Sequence, residues 1–436
     1  MLIPAKRLYF FLASLMIIPV GLQWWLSPQL ILILMLGLNT ILLAVAIGDG
    51  LRVKSDRLKI SRSPLPRLSI GRDNPISVTV QSQQRAQLLI SDGYPREFPV
   101  STPQFTLNLQ PNQTQYEVFY TIQPHTRGEY IWQDLQVRQL SPWGLMWKDW
   151  RVNSRDKGIV YPDLIGLRSL SIRLALEKTG TMRQARRLGR GTEFAELRNY
   201  RQGDDTRMID WKATARSNVP VVKVLEPEQE QTLIILLDRG RLMTARVQGM
   251  KRFDWGLNAT LSLALAGINR GDRVGVGVFD RQVATWIPPA RGTQQMSLLI
   301  ESLSSLQPVL LESDYAGIVS QLVTQQTRRA LVVILTDWID VTASTELLQT
   351  MMGLTPRYLP FCVALQDPVI EAIAHSDSIK LDEAYTQAVA LDLLQERKLA
   401  ASLLKQKGIL VLDAPANRIT TELVNRYLQL KDTGRI

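Results

Sequence analysis

Thr232-Leu-Ile-Ile-Leu-Leu-Asp238 is an uninterrupted apolar run closed by a carboxylate. A run of that length, rich in branched residues, reads as a strand buried on both faces. Helix and strand patterns alternate after it. Helices are predicted over 251–269, 294–306, 315–326, 381–405 and 420–430, and strands over 273–279, 330–335, 358–365 and 408–412, with an antiparallel edge near 282–287. Apolar strands between amphipathic helices predict a mostly parallel, doubly wound α/β sheet for residues 231–436.

Such a sheet binds ligands beyond the carboxyl ends of its strands, and acids stand there: Asp238, Asp280, Asp337 and Asp340. An Asp after the first strand, a hydroxyl or acidic loop in the middle and Thr336-Asp337 after a later strand resemble the von Willebrand factor A fold. The resemblance implies Mg²⁺ held through Asp-x-Ser-x-Ser, a Thr and a second Asp, hard oxygen ligands for a hard ion. Here the first motif reads Asp238-Arg-Gly-Arg-Leu242, so Gly240 and Leu242 replace both serines, and Ser313 or Asp314 is left as the middle ligand. The implied site is a degenerate one of Asp238, Asp314 and Asp337, with no cofactor required. Arg239 and Arg241 lie where the cation would sit and are expected to replace it by pairing with the aspartates. Gly275-x-Gly277 lies inside a strand and Asp280 stands where a dinucleotide fingerprint needs its third glycine. No phosphate-binding loop occurs either.

Upstream lies the densest stretch of the chain, Gly191-Thr-Glu-Phe-Ala-Glu-Leu-Arg-Asn-Tyr-Arg-Gln-Gly-Asp-Asp-Thr-Arg-Met-Ile-Asp-Trp-Lys-Ala-Thr-Ala-Arg216. It fits neither a helical nor a strand period. Arginines are expected to pair with carboxylates in bidentate fashion while Phe194, Tyr200 and Trp211 cover the pairs. The stretch resembles the signature of a bacterial family known as domain of unknown function 58, through Gly191, Glu193 and Phe194, then Leu197, Arg198 and Tyr200. Gly203, Asp204 and Asp205 follow, then Arg207, Ile209, Asp210 and Trp211, and finally Arg216. That resemblance implies a membrane-anchored protein acting beside a MoxR-type AAA+ ATPase, which supplies the work.

The chain has 51 Lys and Arg against 40 Asp and Glu, and the surplus is local. It falls in residues 1–70 and 178–223, with the remainder near neutral. Within the second region Arg183, Arg186, Arg187 and Arg190 recur at helical spacing and read as a solvated basic face or linker, so that 164–230 is a basic linker plus signature. No nucleic-acid module accompanies them, and no specific nucleic-acid partner is expected. A single cysteine, Cys362 in an apolar run, gives neither a disulfide nor a thiolate zinc site. His125 and His375, without an elbow motif, argue against triad hydrolysis.

Residues 8–26 and 30–47 carry no charge, and each is long enough to cross a membrane as a helix. With Ser27-Pro28-Gln29 as the turn, residues 1–54 predict a transmembrane hairpin. Lys6 and Arg7 precede it, and Arg52, Lys54, Arg57, Lys59 and Arg62 follow. Basic flanks on one side predict a multi-pass protein of the inner (plasma) membrane with its soluble domains in the cytoplasm. Between anchor and signature, short alternating runs such as Ile76-Ser-Val-Thr-Val80 and Leu135-Gln-Val-Arg-Gln-Leu140 predict an antiparallel, Ig-like β-sandwich over 55–163. Arg127-Gly128-Glu129-Tyr130 and Ser141-Pro142-Trp143-Gly144-Leu145 read as its structural turns.

The expected function is that of a membrane-anchored adaptor that binds and has no catalytic residues of its own. Two other classes compete. One is metal-dependent peptide binding at the strand ends. The other is an enzyme using Asp204 with Asp205, or Glu193 with Asp210, as general acid and base.

Overall fold

A computed structural model of the protein describes all residues except 18–23, 25–26, 54–57, 83, 111–114, 189–192, 227–230, 339–344, 377–380 and 434–436, and omits the side chains of 177–188, 193–195, 225–226 and 381. The chain divides into two units, Met1–Tyr161 and Pro162–Ile436.

The first unit opens with strand β1 (Leu2–Pro4) and helices α1 (Lys6–Leu15) and α2 (Pro28–Leu51). Nine strands follow: β2 (Lys59–Arg62), β3 (Leu68–Ser69), β4 (Asn74–Gln81), β5 (Ala86–Gly93), β6 (Phe105–Leu109), β7 (Gln115–Ile122), β8 (Gly128–Leu140), β9 (Met146–Val152) and β10 (Asp156–Tyr161). Every second residue of β4 and β5 is buried, as expected of strands with one face on a core. β2, β4 and β7 form a three-stranded sheet, and a seven-stranded sheet runs β1-β9-β8-β10-β3 with β5 on β8 and β6 on β5. These pairs are antiparallel except β10 with β3.

Among the described residues, α2 is the one helix long and apolar enough to cross a membrane. α1 covers only the start of the expected 8–26 crossing, the rest of which lies largely outside the described residues. α2 runs past the expected end at 47, because the charge that reads as a stop is accommodated: Asp49 is 1% exposed and accepts the Trp143 N–H at 3.2 Å. The turn 141–145 is therefore more than a connection. Arg52 lies over the Trp143 ring, and Leu8 and Ala46 are buried against Leu145 and Met146. Leu2–Pro4 also belongs to this seat as an edge strand on β9, which sequence reading does not anticipate. Arg62 corrects the basic flank. Its side chain is buried against Asp92 in the first unit, not beside a bilayer.

The second unit begins with α3 (Leu164–Leu188), so the basic run through Arg187 is helical, while Arg190 lies outside the described residues. β11 (Glu193–Asn199), α4 (Trp211–Ser217) and β12 (Val221–Glu226) follow. Next come β13 (Thr232–Asp238), β14 (Arg246–Val247), β15 (Met250–Lys251), α5 (Arg252–Asn269), β16 (Arg273–Phe279), β17 (Val283–Ala290), α6 (Thr293–Ser304) and α7 (Tyr315–Gln325). The unit closes with β18 (Leu331–Thr336), α8 (Thr345–Leu354), β19 (Leu359–Gln366), α9 (Pro368–Ala374), α10 (Leu381–Gln406), β20 (Leu410–Pro415) and α11 (Ile419–Asp432).

Its sheet has the order β17-β16-β13-β18-β19-β20, parallel except for β17. Alternation along β13 feeds two cores. Leu233, Ile235 and Leu237 join α5, α6 and α11, while Ile234 and Leu236 join α7, α8 and α10. Helices thus cover both faces, which is why the strands are apolar throughout. The glycines of β16 have a steric reason: a Cβ at Gly275 would meet Pro289 at 2.9 Å, and one at Gly277 would meet Trp286 at 2.9 Å, both on the edge strand. Helices α8 and α9 are additions to the sequence reading, although Asp367-Pro368 carries a start signal, an aspartate cap with proline in the first turn.

Candidate functional site

Strand order reverses between β13 and β18, and a doubly wound sheet has its crevice beyond the carboxyl ends of strands at such a point. Asp238 and Asp337 stand there. Both are buried, at 1% and 2% exposure, and each is engaged from within the unit.

Asp238 receives four donors. Ser313 Oγ at 2.5 Å and the Gly240 N–H at 2.7 Å reach Oδ1, and Thr336 Oγ1 at 2.7 Å and Tyr315 OH at 3.2 Å reach Oδ2. Burial pushes the Asp238 carboxyl up, and the bonds from Ser313 and Thr336 oppose the shift. Asp337 sits between two guanidinium groups, with Arg397 Nη1 on Oδ1 and Arg252 Nη1 on Oδ2, each at 2.6 Å. Burial raises this carboxyl too, against the pull of Arg397 and Arg252. Arg397 also holds Asp413 through Nε and Nη2, at 3.0 and 2.8 Å, and lies over the Trp338 ring.

These residues do not fit a divalent cation. Asp314 is exposed and turned to its own helix, capping α7 through the Gly317 N–H at 2.7 Å. A side chain at 240, where a metal motif needs serine, would overlap Ser313 Oγ and come within 2.8 Å of the Leu311 carbonyl. No group of three metal-ligating side chains gathers among the described residues. Positive charge replaces the cation, but not from the expected residues. Arg239 pairs with Asp280 at 2.6 Å and Arg241 with Glu312 at 2.7 Å, while Arg252 and Arg397 serve Asp337.

Asp238 yields a pH prediction. Its folded-state value lies above the unfolded one, so the protonated acid favours the fold. That contribution is present below the unfolded value of about 3.9 and is lost as pH rises through the folded one. Asp238→Asn keeps an acceptor for Gly240, and its amide donates to hydroxyls that can rotate. Urea midpoints from pH 4 to 8 should show the variant gaining on wild type as pH rises. A constant difference would mean that Asp238 does not titrate in this range.

The signature forms a second cluster, entirely within the second unit. Gly191 lies outside the described residues, and Glu193 and Phe194 open β11 opposite Glu226 and Leu225. Leu197 pairs with Lys223 along β11 and β12, and the Tyr200 N–H reaches the Pro220 carbonyl. Arg198 grips Asp204 with Nη1 and Nη2, both at 2.7 Å, and the Arg201 N–H adds a third bond at 2.8 Å. Gly203 turns the chain before it at φ +105, in the left-handed half of the map that glycine favours. Asp205 caps a 3-10 turn over Thr206–Met208 through the Arg207 N–H. Ile209 bridges to Val222. Asp210 caps α4 through the Lys212 and Ala213 N–H groups and pairs with Lys223 at 3.2 Å.

Arg198 holds the Asp204 carboxyl below the usual range, and the Ala213 N–H, with Lys223, does so for Asp210. The bidentate pairing is present, but Trp211 does not cover it, being 71% exposed, and the Phe194 side chain lies outside the described residues. Sequence reading missed the capping roles, although Asp followed two and three residues later by free amide groups is an N-cap signal.

The second unit is thus a three-layer α/β domain carrying a hairpin whose aspartates hold its own loops. Residues 196–399 match the family described as Protein of unknown function DUF58. Uncharacterized proteins of Mycobacterium bovis and Mycobacterium tuberculosis are each 22% identical over 182 residues, 41% of this chain and 56% of theirs. The chain therefore spans about half the length of those relatives. Among solved structures, the conserved hypothetical protein BatB of Bacteroides thetaiotaomicron is similar at 12% identity and a TM-score of 0.31, over 47% of this chain and 99% of its own. An aerotolerance-related membrane protein of Bacteroides fragilis is similar at 16% identity and a TM-score of 0.28, over 45% and 99%.

Proposed function

We propose that the protein is a membrane-anchored, cytoplasm-facing adaptor, with a two-helix hairpin, an Ig-like sandwich and a von Willebrand factor A-like domain that binds a partner by surface contact. The observation that carries the reading is the fate of the acids. Asp238 and Asp337 at the switch point, and Asp204 and Asp210 in the signature, are committed to internal hydrogen bonds and ion pairs. What faces outward is a contact surface: Arg241, Glu312 and Leu310 at the strand-end rim, and the cations and Trp211 of the signature. The signature's resemblance implies a MoxR-type AAA+ ATPase as the partner. Lys6 and Arg7 before the apolar segments, with Arg52, Lys54, Arg57 and Lys59 after them, support a cytoplasmic body.

Because Asp238 and Asp337 are internal, exposed residues have to carry the test. Crosslinking of the full-length protein in its native membrane, followed by mass spectrometry, should recover an AAA+ ATPase. Recovery should fall when Leu310→Ser is combined with Arg241→Glu. Absence of any ATPase, under conditions that capture other membrane complexes, would remove the adaptor reading. Undiminished recovery with the variant would move the contact away from the rim.

A further inference from the structure

The signature loop engages Asp204 and Asp210 in its own hydrogen bonds and leaves most of its cations exposed and unpaired among the described residues. Asp204 is bound by Arg198 and the Arg201 amide, and Asp210 by two amides and Lys223. Among the signature carboxylates whose side chains are described, Asp205 and Glu196 are the exposed ones, and Asp205 still caps its own turn. Against them Arg201, Arg207, Lys212 and Arg216 are all exposed. Arg201, Lys212 and Arg216 have no ion pair within 4.0 Å among the described residues, and Arg207 reaches Asp205 only at 3.9 Å with 90% of its side chain exposed. Lys212 and Arg216 stand four apart on α4 and so share a helix face. Trp211 begins the same helix, and Leu197 on β11 is 45% exposed.

From this arrangement we infer that the signature is a docking surface for a carboxylate-rich segment of a partner protein. Charge sets the sign of the partner. Residue type and rigidity set its class. Three of the four cations are arginines, whose planar forks match carboxylates two bonds at a time, and tryptophan with arginine is the pair that dominates protein hot spots. The loop bearing them is fixed by the Arg198–Asp204 clamp, two aspartate caps and the Val221 N–H on Thr214 Oγ1 at 3.0 Å. A lipid surface attracts basic residues without fixed geometry, whereas a loop held this way presents its cations at set positions for individual partners. The inference names the partner chemistry of the signature surface and rests on the adaptor reading only for its biological setting.

The test uses the full chain in nanodiscs of neutral phosphatidylcholine and a fluorescent decapeptide alternating Glu and Leu, with a Lys and Leu peptide as control. The acidic peptide should bind, more weakly as salt rises. Trp211→Ala, and separately Lys212→Glu with Arg216→Glu, should each weaken it about tenfold or more. Lys212→Arg should keep binding and shows that the helix tolerates change. Acidic-peptide binding that no variant alters, or no binding at all, would overturn the inference. So would phosphatidylserine vesicles competing through the same residues while the peptide fails, or charge reversal that dissolves a self-association of this chain instead. Peptide binding without a crosslinked ATPase would leave the surface standing and remove the adaptor reading.

Discussion

Replacing Arg397 with methionine is expected to cost the second unit about 3–5 kcal/mol of stability, the range for breaking a buried ion network from one side. Methionine fills much of the same volume, so the loss comes from charge and hydrogen bonding more than from a cavity. Arg397 is 9% exposed and donates to Asp337, to the Trp338 carbonyl at 2.8 Å and to both oxygens of Asp413. Without it Asp337 keeps Arg252 and the Trp338 N–H at 3.0 Å, and Asp413 loses the cation that pairs with it. The network ties α10 to the carboxyl ends of β18 and β20, so the damage should appear there first. Hydrogen exchange of peptides from β18 and β20, read beside urea unfolding, measures it. Asp413→Leu added to Arg397→Met should recover part of the loss, because an uncompensated carboxylate is removed with its cation. A loss below about 1 kcal/mol in the single variant would mean that water reaches the carboxylates and the network contributes as a surface pair does.

This network also shows where sequence reading stops. β13 and β18 were legible because strands covered on both faces have no polar alternation to confuse them, and a carboxylate after each marks the end of the strand. The partners of Asp337 were not. Arg252 and Arg397 lie on helices, where an arginine ordinarily belongs to the solvated face, and no local pattern shows that two of them converge on an acid from opposite sides of the sheet order. Arg239 and Arg241 were the natural guess because they follow Asp238 directly. Arg239 instead pairs with the buried Asp280 after β16, and Arg241 turns outward to Glu312. In the signature the opposite holds: its contacts are short-range, and Asp205 and Asp210 could have been read as caps from the residues that follow them. Mixed charge there disguised ordinary local chemistry. Asp49 was hidden by the converse effect, a tertiary donor at Trp143 that lets a helix continue through a charged residue.

Arg62→Met should be as severe as Arg397→Met, about 3–5 kcal/mol, but in the first unit. The Arg62 side chain is fully buried and donates to Asp92, to the Ser154 carbonyl at 2.6 Å and to the Gln133 carbonyl at 2.8 Å, with Asp156 at 3.3 Å. Arg62 lies on β2 of the three-stranded sheet. Asp92 and Gln133 lie on β5 and β8 of the seven-stranded sheet. One guanidinium therefore joins two sheets that share no backbone ladder. Methionine would leave Asp92, whose side chain is 1% exposed, with the Tyr120 hydroxyl at 2.5 Å as its remaining donor among the described residues, and the part-buried Ser154 and Gln133 carbonyls without Arg62. The Tyr120 hydroxyl, pushed up by burial and by Asp92, cannot supply the missing positive charge. Exchange should quicken in β2, β5 and β8 while β13 and β18 keep their protection, because each unit has its own core. Loss of protection confined to β2 would mean that Arg62 only holds an edge strand in place. Coordinated loss across β2, β5 and β8 would identify it as the polar tie between the sheets.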